Sequence, residues 1–229
     1  MQKPISIKFY YISIISLYMG MLNAYAFYNF KGFLISMQSG NMAKLGIYLY
    51  QLDFYMLFST LSTVLGCLVG IIIMHLINYY FYKNKSLNNY RQFCLSYNII
   101  LLFLFSLITR IVPNMLGLFF LSLISSIHLY NVHNYYHAIH GVAAVSSNVK
   151  NMGIFIGDAI ILRKRRYIII ALEYFLLFIL FSVGSFIGIL LCDYFDYNAI
   201  YFMIVLLICL TRYSKKHDNN YQGNIHIVE

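Results

Sequence analysis

Ser39-Gly40-Asn41-Met42-Ala43-Lys44-Leu45-Gly46-Ile47 has a second copy at Ser146-Ser147-Asn148-Val149-Lys150-Asn151-Met152-Gly153-Ile154. Serine, asparagine, glycine and isoleucine recur at the same spacing, and Tyr48 is matched by Phe155. Each copy is polar and lies between long apolar runs. A second match comes after each copy in the same order: Gly66-Cys67-Leu68-Val69-Gly70-Ile71 against Gly184-Ser185-Phe186-Ile187-Gly188-Ile189. Two matches in one order point to a duplication. The chain therefore reads as two halves of one membrane protein, 1–112 and 113–213, with a polar tail at 214–229.

Composition supports the same class. The chain has 229 residues, 61% hydrophobic and only 10% charged, with a mean hydropathy of +0.72. A soluble domain carries about 25% charged residues, so the expected solvent is a lipid bilayer. The net charge of +9 invites a nucleic-acid reading. The basic residues, however, sit between apolar runs rather than on one soluble face, which argues against nucleic acid. Cys67, Cys94, Cys192 and Cys209 fall in or beside apolar runs without CxxC spacing, so neither a disulfide framework nor a zinc site is expected.

Hydrophobic runs predict six spans: Phe9 to Phe27, Phe54 to Phe81, Cys94 to Ile111, Met115 to Tyr130, Tyr167 to Cys192 and Ala199 to Leu210. The first has a basic start and ends near Ala24-Tyr25-Ala26, which also fits a cleavable signal peptide. A retained helix is preferred because the chain beyond Phe27 is itself rich in spans. Polar breaks lie at 29–41 and 131–166, with a short helix expected from Met42 to Tyr50.

Six spans place both termini, the 82–93 loop and the 131–166 loop on one side. That side holds 13 of the 16 basic residues; Lys31, Lys44 and Arg110 remain on the other. The positive-inside rule then puts both ends in the cytoplasm. Three spans per half invert one half relative to the other, as in many secondary transporters.

Candidate binding residues are set by the cost of polar groups in lipid. Gln38, Ser39, Gly40, Asn41, Ser146 and Asn148 occupy the repeated breaks. Were the breaks to dip into the membrane, amides, hydroxyls and helix-start N–H groups would face a solute. Were they surface loops, Asn would cap the next helix. Glu173, inside the fifth span, suits a proton or cation site, or an ion pair with Arg166. Lys44 and Lys150 could attract an anion or snorkel to the interface. His133 and His137 could share a metal, with His140 near, but no carboxylate or cysteine completes the set. Gly66, Gly70, Gly184 and Gly188 form two Gly-x-x-x-Gly pairs suited to close helix packing. No nucleophile, phosphate-loop, dinucleotide or zinc-protease motif is present, so no enzyme activity, cofactor or metal is expected.

Gly20-Met21-Leu22-Asn23-Ala24-Tyr25-Ala26-Phe27, Gly32-Phe33, Met37-Gln38-Ser39-Gly40-Asn41 and Leu45-Gly46 resemble the YoaK-like family of uncharacterised bacterial multi-pass membrane proteins. The family pattern there is Gly-x-x-Asp-Ala-aromatic, Gly-Gly-x-Phe and Thr-Gly-Asn. Its second half carries Gln-Asn-Ala and a Thr-Gly motif, where this chain has Tyr130-Asn131-Val132 and Ser146-Ser147-Asn148. The resemblance spans about residues 10–212. It adds Asn23 and Asn131 to the candidate binding set, Asn23 standing where the family has an acid. It implies a multi-pass inner-membrane location and no reaction. The expected fold is all-α, with six transmembrane helices in two inverted repeats. The expected function is a small-solute transporter or channel, with a membrane scaffold or binding protein as the alternative. The bilayer is the expected partner, with a small solute and a second copy of the chain also compatible.

Overall fold

A computed structural model describes the backbone at residues 5–83, 87–135 and 145–218. The described residues form α-helices and one 3-10 turn, with no strand. The helices are α1 (Ile5–Asn29), α2 (Gln38–Tyr50), α3 (Phe54–Lys83), α4 (Leu87–Ile108), α5 (Asn114–Tyr135), α6 (Val145–Leu162), α7 (Arg165–Phe195) and α8 (Ile200–Asp218). Asp196–Ala199 is the 3-10 turn between α7 and α8.

Two stretches, Phe54–Phe81 and Arg165–Lys215, are long and apolar enough to cross a membrane. The second runs through α7 and most of α8. The surface is far more apolar than that of a soluble protein, and the core holds a polar minority. Ser16, Asn23, Thr63, Asn98, Ser122 and His128 are buried, while Leu68, Ile72, Phe103, Leu107, Leu172 and Phe186 are exposed. An apolar exterior over a largely apolar core that also holds buried hydroxyls and amides suits an apolar solvent, which is consistent with a membrane protein.

Two helix pairs dominate the packing: α1 against α7, and α3 against α5. In both, glycine brings backbone onto backbone. A Cβ at Gly184 would strike the Leu17 carbonyl, and one at Gly188 would lie 2.8 Å from the Met21 carbonyl oxygen. A Cβ at Gly66 would strike the Phe119 carbonyl, and one at Gly70 would lie 2.8 Å from that of Leu123. Residue numbers rise together along each pair, so each pair is parallel. The Phe30 ring fills the space over Gly117, and Tyr18 meets His128 edge-on with centroids 5.2 Å apart. Those contacts make α1 and α5 antiparallel.

The short helices fold back on long ones. Asn41 of α2 meets Thr63 of α3, and Asn151 of α6 meets Tyr174 of α7. Each partner residue lies nine places into its long helix. Both hairpins turn on one left-handed non-glycine residue, Leu52 (φ 55°) after α2 and Arg163 (φ 52°) after α6. That conformation closes a helix but costs about 1–2 kcal/mol without glycine. The start of α3 lies beside the start of α5 through the Tyr55–Asn114 hydrogen bond. The end of α1 lies beside the end of α7 through Asn29 and Cys192. The two hairpin turns therefore sit at opposite ends of the bundle. The rings of Tyr10 and Tyr213, 4.7 Å apart, hold the start of α1 against the end of α8.

Several boundaries differ from the sequence expectation. α2 begins at Gln38 rather than Met42, so Gln38 to Asn41 are helical and the first break narrows to 30–37. The second break is not simply polar chain. It contains α6, whose Met152, Ile156 and Ala159 face α7 and supply the apolar contact that pattern alone did not reveal. The basic loop at 82–93 is helical from Leu87, and the expected tail at 214–229 is helical as far as Asp218. In both places the chain prolongs a helix begun in an apolar run, where each added residue gains a backbone bond without a new nucleus.

Candidate functional site

The segment between α1 and α2, residues 30–37, is the one place where non-helical chain goes deep into the described structure. α1 stops at Asn29, and Lys31 (φ 55°) and Gly32 (φ 79°) turn the chain inward. Phe30, Phe33, Ile35 and Ser36 are then buried. Irregular chain at such depth must have its N–H and C=O groups satisfied from within the protein.

Side chains supply those partners. The Asn41 Nδ2 donates to the Leu34 carbonyl at 3.0 Å and to Thr63 Oγ1 at 2.9 Å. The Gln38 Nε2 donates to the Ile35 carbonyl at 2.8 Å and reaches Ser122 Oγ at 3.3 Å. The Ser122 hydroxyl lies 2.9 Å from the Ile35 oxygen and 2.6 Å from that of Thr63. The Ser36 N–H donates to Asn23 Oδ1 at 3.3 Å, and Asn23 Nδ2 donates to Ser36 Oγ at 2.8 Å. Asn23 also donates to the Met19 carbonyl one turn back, at 2.8 Å. Four helices thus clamp one loop: α1, α2, α3 and α5.

Among the sequence-selected residues, Asn23, Gln38 and Asn41 come together here. Ser39 and Gly40 do not; they are exposed on the far side of α2. Met37 precedes α2 without a side-chain cap, so no side chain at that position covers the first N–H groups. Asn131 belongs to a different contact, accepting from the Tyr90 hydroxyl at 2.8 Å. Asn148 is buried on α6, Glu173 is half-buried on α7, and the side chain of Ser146 lies outside the described residues. Lys44 lies 5.7 Å from the centre of the Phe33 ring, a cation–π contact beside the buried loop. Lys150 is exposed. The side chain of His133, and all of His137 and His140, lie outside the described residues. Among those described, no three His, Cys, Asp or Glu side chains group as a metal site.

Several polar residues of the interior were not singled out from sequence. Tyr18 donates to Asn98 Oδ1 at 2.9 Å, and Asn98 donates to the Ile124 carbonyl at 3.2 Å. Ser36, Thr63 and Ser122 complete the loop clamp. A signal for them exists: Ser59 and Thr63 in α3, and Ser122 and Ser126 in α5, recur one helical turn apart within apolar runs. A polar stripe on a spanning helix faces protein rather than lipid.

In register with the glycine pairs, Thr63 is matched by Phe181, and Ser122 by Gly20 through their shared helix contacts. No curated protein and no solved structure matches the chain. A family of proteins of unknown function matches residues 12–213, which is nearly the whole chain, and the protein belongs to that family, DUF1275.

Proposed function

We propose that this protein crosses a bacterial inner membrane six times, in two inverted three-helix repeats, and moves a small solute without acting as an enzyme. The observation that carries the reading is the buried irregular segment 30–37, reached by Asn23, Gln38 and Asn41. Broken helices at depth are how transporters of inverted-repeat design place polar groups near the midplane.

The inversion draws support from reciprocal packing. Exchanging the halves turns the α1–α7 pair into the α5–α3 pair, and α2 on α3 into α6 on α7. Leu52 and Arg163 occupy equivalent turns at opposite ends. The long helices α3 and α7 meet the length and hydropathy needed to span. In α1 the buried Ser16, Tyr18, Asn23 and Tyr25 dilute the apolar signal, as they would in a helix surrounded by protein. Arg163, Lys164, Arg165, Arg166, Arg212 and Lys215 gather at one end; Asp53, Asp193 and Asp196 lie at the other. Cytoplasmic placement of the basic end, with both termini, accords with the positive-inside rule. The motif order also supports a place among YoaK-like members.

Scanning cysteine labelling in oriented vesicles tests the mechanism. Cysteines at Gln38 and Asn41 are expected to react from outside, those at Ser147 and Asn148 from inside, with solute changing the pattern. Protection of both sets under every condition would overturn transport. A second reading, a membrane scaffold, is favoured by one observation: the donors of Asn23, Gln38 and Asn41 are already engaged, while Gly40 and Gly153 face open space. Solute uptake into proteoliposomes separates the two.

A further inference from the structure

The α6–α7 hairpin carries a groove that the proposed transport path does not use. Its walls are Met152, Ile156 and Ile160 on α6 and Ile168, Leu172 and Phe175 on α7, and it encloses about 560 Å³ with almost no polar lining. Ala159 and Ala171 form part of its floor. The space falls within the range of small-molecule sites, roughly 300–1,000 Å³.

The groove ends directly beneath the hairpin turn. Ile160 stands three residues before Arg163, and Ile168 two after Arg166. Arg163, Lys164, Arg165 and Arg166 are all exposed there. Lys164 precedes α7 without capping it through its side chain. The positive end of a 31-residue helix is thus presented beside four basic side chains. Asp158 and Glu173 are the nearest carboxylates in the sequence of the two helices, and each lies at least five residues from the cluster. The equivalent turn of the first half, Gln51-Leu52-Asp53, has no basic residue and one acid. Duplication alone does not account for this feature.

We infer that the α6–α7 hairpin is a binding site for an anionic phospholipid, its acyl chain lying along the apolar groove and its phosphodiester held at the Arg163–Arg166 turn. An apolar slot alone would accept any lipid tail, and a basic loop alone any anion. Their junction selects a molecule that is both. Arginine suits the phosphate because its planar fork donates two parallel hydrogen bonds. A basic pocket between helices on the cytoplasmic side is also where acidic headgroups are abundant. The inference rests on the membrane reading above.

The full chain, purified in a mild detergent, is mixed with phosphatidylglycerol or phosphatidylcholine, and bound lipid is counted by native mass spectrometry. Phosphatidylglycerol is expected to be retained at least tenfold better. Replacing Arg163→Gln and Arg166→Gln together should weaken retention by about fivefold per residue, and Arg163→Lys with Arg166→Lys, which keeps the charge but not the planar fork, should restore only part of it. Ala159→Leu, which fills the groove and leaves the charges, should weaken both lipids. Equal retention of the two lipids, an unaffected glutamine double variant, or complete displacement by inorganic phosphate would each overturn the site. Alkaline carbonate extraction of cell membranes is run in parallel. Release of the protein into the soluble fraction would sink the membrane reading itself, whereas firm retention with no lipid preference would sink only this inference.

Discussion

Asn41 at the start of α2 reaches Thr63 in the middle of α3, with Nδ2 2.9 Å from Oγ1. The same amide holds the Leu34 carbonyl of the buried loop. One side chain therefore joins the short helix, the long helix and the irregular chain between α1 and α2. Asn41→Ala is expected to cost about 1–3 kcal/mol, the penalty for stranding buried partners. Ser39→Ala, two residues away and exposed, should stay within about 0.5 kcal/mol. Thermal unfolding in detergent distinguishes them, and equal melting temperatures for the two variants would refute the clamp.

The glycines divide into two kinds. Gly66 and Gly184 face backbone carbonyls, while Gly40 and Gly153 face nothing within 4 Å. Gly66→Leu or Gly184→Leu should separate the parallel pairs and lower the yield of folded protein sharply. Gly153→Ala should stabilise α6 by about 0.5–1 kcal/mol, because alanine loses less conformational freedom in a helix. Tolerance of Gly184→Leu at wild-type stability would contradict the α1–α7 packing.

Tyr18 and Asn98 form a buried chain that ends on the Ile124 carbonyl. Tyr18→Phe leaves the Asn98 oxygen unpaired and should cost about 1–3 kcal/mol. Asn98→Leu should cost a similar amount. A double-mutant cycle is expected to show coupling of about 0.5 kcal/mol or more, since the two residues touch. Strict additivity would show that the bond contributes nothing to folding.

The start of α1 and the end of α8 meet through Tyr10 and Tyr213. Reporter fusions to either terminus should therefore give the same topology signal, fluorescent as cytoplasmic fluorescent-protein fusions and inactive as periplasmic phosphatase fusions. Single cysteines at Leu52 and Lys164 should be labelled from opposite faces of the membrane. Labelling of both from one face would reject the antiparallel arrangement of the two hairpins.

Much of the helical layout is legible from hydrophobic runs, because a spanning helix must be apolar over most of its length. The run from Phe54 to Phe81 marks α3, which extends to Lys83. α6 is not legible as a long helix, since its polar N-terminal turns at Ser146 to Lys150 hide the apolar face that starts at Met152. Asn23, Gln38 and Asn41 are visible because polar residues stand out where hydrocarbon would exclude them. Thr63 and Ser122 are not, because a hydroxyl in a helix can satisfy itself on the preceding turn and so carries a weak signal.

The order of residues by itself determined an all-helical, apolar-surfaced chain with a doubled motif and its charges sorted into a few loops. Those properties come from composition and period, which need no knowledge of neighbours. Only the tertiary structure decided that Asn23, Gln38 and Asn41 spend their amides on the loop at 30–37, while Ser39 and Gly40 point away. A hydrogen bond is set by which groups are brought within about 3 Å. Residues 34 and 63 are brought to Asn41 by the fold, not by their distance along the chain.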